Sequence, residues 1–122
     1  PHYIKFVKDS QKLNVYSEGS KIRYSSDFKT EGINVNFAHV DNHTIFTRTY
    51  ERGVEDETLS CGTGVTAVAI AAHYQNLLSA NHIRLQTPGG ELQVKFDKHN
   101  SGYKNIWLIG PAERVFKGEI KC

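Results

Sequence analysis

Eight residues, Val65-Thr66-Ala67-Val68-Ala69-Ile70-Ala71-Ala72, are apolar on nearly every face of a helix, and a helix apolar all round has to be covered by other elements. A chain of 122 residues can form one hydrophobic core and is too short to expect two. Most of the remaining sequence reads as strands that could supply the cover. Tyr3 to Val7 alternates, with Tyr3, Lys5 and Val7 on one side and Ile4 and Phe6 on the other. In Ile33 to Val40, residues Ile33, Val35 and Phe37 face one way, and Asn34 and Asn36 the other. Asp41-Asn42-His43 then links this run to Thr44 to Glu51 as an antiparallel hairpin. The helix should fade near Leu77 to Ala80, before Ile83 to Thr87, the turn Pro88-Gly89-Gly90 and the clean alternation of Glu91 to Phe96. Asp97 to Lys104 reads as a polar turn. Asn105 to Gly110 and a final strand, Arg114 to Ile120, bring the total to roughly seven strands joined by short loops. Gln11 to Tyr24 is broken by Ser17-Glu18-Gly19-Ser20 and reads as turns with room for one short helix. The expected class is α+β, a single domain over residues 1–122.

The formal net charge of +2, with its lysines scattered, builds no basic face and makes no case for nucleic acid. No stretch approaches a membrane span and no export signal opens the chain. The expected location is therefore cytoplasmic, where Cys61 and Cys122 would stay reduced. His39 and His43 fall across a turn with no third ligand nearby, so no metal site is expected. The sequence has no methionine and opens at Pro1-His2-Tyr3 straight into a strand, as a trimmed fragment would.

The chemistry sits just ahead of the apolar helix, at Cys61-Gly62-Thr63-Gly64. The first amides of a helix have no intrahelical partners and carry the positive end of its dipole, so they stabilise an anion, whether a thiolate or a ligand carboxylate. Gly62 and Gly64 allow the backbone to approach a ligand closely. A lone cysteine is ordinarily core filler, but an apolar pocket does not call for two glycines, two hydroxyls and an adjacent acidic run. A P-loop is excluded, because no lysine follows the last glycine. Glu51 and Arg52, closing the preceding strand, offer a carboxylate to an ammonium group and a guanidinium to a carboxylate. These are the two ends of an amino acid.

Glu51-Arg52-Gly53, Glu57-Thr58 and Cys61-Gly62-Thr63-Gly64 together resemble the C-terminal active-site motif of the diaminopimelate epimerase family. The resemblance runs from Pro1-His2 to Gly118-Glu119-Ile120 and covers the second half of a family member. It implies two similar domains, each a barrel-like set of mostly antiparallel strands wrapped around one central buried helix. It also implies cofactor-independent interconversion of LL- and meso-diaminopimelate, in lysine and peptidoglycan precursor biosynthesis, by two cysteines on opposite faces of the substrate α-carbon. No pyridoxal phosphate takes part. Carried over residue by residue, Cys61 matches one catalytic acid/base, and Gly62 and Thr63 match the loop that holds the carboxylate. Glu51 and Arg52 match the pair that contacts substrate, with Glu51 also placed to tune the thiol. Asn34 matches a substrate-binding asparagine, and His2 a histidine near the thiols. Two departures stand out. The family usually has an asparagine just before Pro-His, one residue ahead of this chain's start, and Asp56 stands where many members have glycine. The implied partners are diaminopimelate and an N-terminal domain outside this sequence, with a homodimer of the full-length enzyme left open. The isolated chain is expected to be inactive. Two other readings stay open: a module that binds an amino acid or carboxylate without turnover, and a cysteine hydrolase, which would need a base aimed at Cys61.

Overall fold

The computed structural model describes residues 1–100 and 102–121. Its elements are β1 (His2–Phe6), α1 (Val15–Arg23), β2 (Asn34–Asp41), β3 (Thr44–Glu51), β4 (Asp56–Thr58), α2 (Gly62–Tyr74), β5 (His82–Thr87), β6 (Gly90–His99) and β7 (Gly102–Ile109). The β2–β3 hairpin turns at Asn42 and His43, both in the left-handed region with φ 43° and 64°. It lies inside a sheet of order β1-β2-β3-β5-β6-β7. Pairing is antiparallel except at β1–β2 and β3–β5. The edge of β3 away from β2 is shared: Thr44 to Phe46 pair with β5, and Thr49 to Glu51 pair with the short β4.

The period of two along β2 assigns its side chains to two cores. Ala38 joins Ile45, Ile83, Leu85, Val94 and Phe96 against Val65, Val68, Ala69 and Ala72 of α2. Val35 and Phe37 join Ile33 and Tyr50 against Val15 of α1. Helix α2 touches every strand except β4, so the sheet curls about it as a half-barrel. This is the α+β architecture that the apolar helix and its flanking strands lead one to expect.

Helix α1 runs straight through Ser17-Glu18-Gly19-Ser20, the segment expected to break it. Its start is capped by Asn14, whose side chain accepts from the Ser17 amide at 3.0 Å. Gly19 is there for closeness: a Cβ at that position would fall inside the contact distance of Tyr50 Cβ and lie 2.6 Å from Tyr50 Cγ. Gly→Ala inside a helix normally stabilises by about 1 kcal/mol. Here Gly19→Ala should instead lower the unfolding free energy by about 1–3 kcal/mol, the usual cost of overpacking, as read from urea denaturation midpoints.

Two further expectations change. Arg114 to Ile120 forms no strand: it pairs with no described strand of the sheet, and Val115, Phe116 and Ile120 are 83–89% exposed, so strand-like composition goes without the partner that a strand needs. The turn before β7 is shorter than Asp97 to Lys104, since β6 runs to His99 and β7 starts at Gly102. Between Lys95 and Asp97 the β6–β7 register shifts, and Asn105 there takes φ 49° while donating to Asp97 Oδ2 at 2.8 Å. Such a bulge places an extra residue in a strand and hides its alternation. Cys122, expected to stay unpaired, lies outside the described residues.

Candidate active site

The Cys61 loop takes its position from α2. Cys61 is the N-cap, in extended conformation with φ −128° and ψ 103°, and its side chain makes no cap hydrogen bond. The first backbone bond of the helix runs from the Val65 amide to the Cys61 carbonyl at 2.8 Å. The earlier amides therefore lack intrahelical partners and face the site with the dipole's positive end. Cys61 is a free thiol, 8% exposed. With Glu51, Ser60, Gly62, Thr63, Thr66 and Leu108 it lines an open cleft of about 580 Å³. Leu108 reaches the cleft from β7, and Gly62 leaves room for it: a Cβ at Gly62 would lie 2.8 Å from Leu108 Cδ2.

A chain of polar contacts runs inward from the thiol. Thr63 Oγ1 lies 3.6 Å from Cys61 Sγ and 3.0 Å from His2 Nε2. His2 Nδ1 lies 3.2 Å from Asn36 Nδ2, which also donates to the Tyr3 carbonyl at 3.1 Å. Asn36 Oδ1 accepts from Thr49 Oγ1 at 2.9 Å. Asn36 is fully buried, and a Cβ at Gly64 would run into its Oδ1 and lie 3.3 Å from Cys61 Sγ. Gly64 thus serves the fit of the helix against Asn36 as well as the loop.

His2 is held in β1, paired in parallel register with Asn34. Burial pushes its imidazole below the ordinary value, and the Glu51 carboxylate opposes that shift. With a depressed folded pKa, the unfolded chain binds more protons as the pH drops past about 6.5. His2 therefore contributes stability that is present above that pH and lost below it. His2→Gln should flatten the acid side of the stability profile, measured as urea midpoints from pH 7.5 down to pH 5.

Glu51, at the end of β3, lines the cleft and accepts from Thr58 Oγ1 at 2.8 Å. Arg52 and Asn34 lie at the adjoining strand ends: the Arg52 amide donates to Asn34 Oδ1 at 2.8 Å, and its guanidinium to the Glu31 carbonyl at 3.0 Å. Neither residue lines the cleft. The turn from Glu51 to Glu55 places Gly53 at φ 93°, and Glu55, also left-handed at φ 58°, accepts from the Gly53 amide, Arg23, Tyr24 and Tyr50. Asp56 opens β4 opposite Glu51 and is not among the residues of positive φ, so no glycine is needed there.

The structure therefore brings Cys61, Gly62, Thr63 and Glu51 to one cleft, ties His2 to it through Thr63, and leaves Asn34 and Arg52 beside it. Thr49 and Leu108 are members that the sequence reading missed, and Asn36 is one that the family match sets aside in favour of Asn34. For Asn36 a signal existed: it shares a strand face with Asn34, and a polar side chain on a face turned toward an apolar helix must find partners. His39 is occupied structurally, stacked on Phe46 at 5.0 Å with Nδ1 accepting from the Ser10 amide at 3.0 Å. Among the described residues no group of three or more His, Cys, Asp or Glu side chains gathers as a metal site would. Among the described residues, no helix is long and apolar enough to cross a membrane.

Comparison with known proteins places this geometry. Among solved structures, the chain is similar to a phenazine biosynthesis protein of the PhzF family from Enterococcus faecalis, with TM-score 0.62 and 14% identity over 84% of this chain and 35% of that one. It is also similar to a predicted epimerase from Pseudomonas aeruginosa, with TM-score 0.57 and 14% identity over 82% and 34% of the two chains. At these identities the likeness speaks to the fold. Diaminopimelate epimerase of Flavobacterium psychrophilum is 49% identical over 98% of this chain and 47% of its own length. Those of Aquifex aeolicus and Archaeoglobus fulgidus are 41% and 45% identical, over 98% and 99% of this chain and 43% and 40% of their own lengths. The chain thus spans less than half the length of these relatives. The family model described as diaminopimelate epimerase matches residues 1–115, and the chain belongs to the diaminopimelate epimerase family.

Proposed function

We propose that this chain is the C-terminal domain of a two-domain, cofactor-independent epimerase, and that Cys61 is one of two cysteines that exchange a proton at the α-carbon of diaminopimelate. The observation that carries this reading is the free Cys61 thiol at the N-cap of α2, in a cleft shared with Glu51 and linked through Thr63 to His2. Inversion needs a base on one face of the carbon and an acid on the other. In one direction the Cys61 thiolate removes the α-proton, the electron pair stays on the α-carbon, and the opposite thiol delivers its own proton to the far face. In the reverse direction the roles exchange. The free amides at the start of α2 are placed to hold the α-carboxylate as charge develops beside it, which counts most once water is excluded. Glu51 offers a carboxylate to the substrate ammonium, Asn34 and Arg52 add polar groups at the strand ends beside the cleft, and Gly62 and Thr63 shape the carboxylate pocket.

The open side of the cleft supports a second domain. Trp107 is 65% exposed on the edge strand β7, beside the exposed Ile106, Leu108 and Ile109, and Val115, Phe116 and Ile120 are exposed apolar side chains farther along the chain. A patch of this kind marks an interface, and Leu108 carries it to the rim of the Cys61 cleft. The place of the reaction in lysine and peptidoglycan precursor biosynthesis, and a cytoplasmic location, belong to the same proposal. The test is α-deuterium uptake by LL- and meso-diaminopimelate in heavy water, catalysed by the full-length protein. Interconversion with solvent deuterium at the inverted centre is the expected result, and binding without exchange would favour a carboxylate-binding module instead.

A further inference from the structure

We infer that Asn36 is a positioning residue that selects the tautomer of His2 and so leaves the Thr63 hydroxyl free to donate its hydrogen bond to the Cys61 sulfur. The geometry stands without any substrate; its value for catalysis rests on the proposed function.

Asn36 can be oriented in only one way. The Tyr3 carbonyl is an acceptor only, so the amide atom 3.1 Å from it must be the nitrogen. The oxygen then accepts from Thr49 Oγ1 at 2.9 Å. The amide nitrogen has a second hydrogen, and it faces His2 Nδ1 at 3.2 Å. That nitrogen has to present a lone pair. A neutral imidazole carries a single N–H, which is thereby assigned to Nε2, where it donates to Thr63 Oγ1 at 3.0 Å. Thr63 accepts from the histidine and has one proton left to give, and Cys61 Sγ lies 3.6 Å away. With the other tautomer, two donors would meet between His2 and Asn36, and the bare Nε2 would draw the Thr63 proton away from the sulfur. One backbone carbonyl in β1 therefore decides whether the thiolate has a hydroxyl donor.

The surroundings hold this arrangement in place. Asn36 is 0% exposed, so water does not compete for its amide. Gly64 keeps clear the space that any larger residue on α2 would take from Asn36 Oδ1. The charged side chain that acts on His2 is the Glu51 carboxylate, and the first turn of α2 contains no acidic residue. Burial favours the neutral ring in which a tautomer is defined. A hydrogen bond to a charged acceptor contributes more than one between neutral groups, so losing the Thr63 donor has a measurable cost.

The experiment uses the full-length protein with ¹⁵N-labelled histidine, above pH 7.5, without substrate. Two-bond proton–nitrogen correlations, assigned to His2 by comparison with His2→Gln, should show a bare Nδ1 and a protonated Nε2. Asn36→Asp replaces the amide donor by a carboxylate acceptor and should invert that pattern. Iodoacetamide labelling of the Cys61 peptide, followed by mass spectrometry, should slow roughly three- to tenfold in Thr63→Val and in Asn36→Asp, and return to the parent rate in Thr63→Ser. A purely structural role for Asn36 would not move the tautomer. A protonated Nδ1 in the parent protein, an unchanged tautomer in Asn36→Asp, or parent-like labelling of Thr63→Val would each overturn the relay. Because both readouts precede any turnover, an intact relay in a protein that does not exchange α-protons would fail the proposed function alone.

Discussion

On the proposed two-thiol mechanism, replacing Cys61 by serine or alanine in the full-length protein should lower stereochemical interconversion of diaminopimelate by about 10²–10⁴-fold or more, the range a positioned acid/base commonly supplies. The fold should survive, since Cys61 lies at the mouth of α2 and the core residues of that helix begin at Val65. Unchanged urea midpoints beside lost deuterium uptake would separate a chemical role from a structural one. Serine keeps a proton donor of similar size, but at neutral pH its hydroxyl is a far weaker base than a thiolate. The isolated chain should also fail to invert the centre, because the described residues offer one placed thiol and the cleft around it is open. Robust inversion by the isolated chain would sink the two-thiol mechanism, and a fully active Cys61→Ser enzyme would remove Cys61 from it.

Phe96→Ala should destabilise the fold by about 3–5 kcal/mol, near the upper end for a single buried side chain. Phe96 is 0% exposed in β6, within the core that α2 and the sheet share. Its ring meets His73 of α2 at 5.1 Å and Tyr103 of β7 at 5.2 Å, both edge-on, and His73 Nδ1 and Tyr103 Oη lie 3.0 Å apart. Removing the ring leaves a cavity between three elements that cannot all close in at once. Chemical denaturation monitored by far-ultraviolet circular dichroism measures the loss, and Phe96→Leu should recover most of it. A cost under about 1 kcal/mol would show that the half-barrel collapses onto the gap, contrary to the stiffness of a close-packed core.

What could be read from the sequence was whatever a local period or a local chemical requirement expresses. The all-apolar face of Val65 to Ala72, the alternation of β2 and of Glu91 to Phe96, and the turn residues Asn42 and His43 each declare themselves within a few residues, because helix and strand periods are properties of neighbouring side chains. So does the Cys61 loop, whose glycines and hydroxyls make little sense as core. The tertiary structure alone decided the rest. Gly19 reads as a helix breaker until Tyr50, 31 positions away, is seen against it. Arg114 to Ile120 has the composition of a strand, but a strand exists only once it is paired, and this segment pairs with no described strand. The triplet β4 is too short to show a period and is held by its pairing with β3. Asn36 looks like any polar strand position, and its place beside His2, Thr49 and Gly64 depends on parallel pairing of β1 with β2 and on the seating of α2. Hydrogen bonds between residues far apart in sequence leave no trace in local pattern, because partners are chosen by the sheet order and by how closely the helix can approach it.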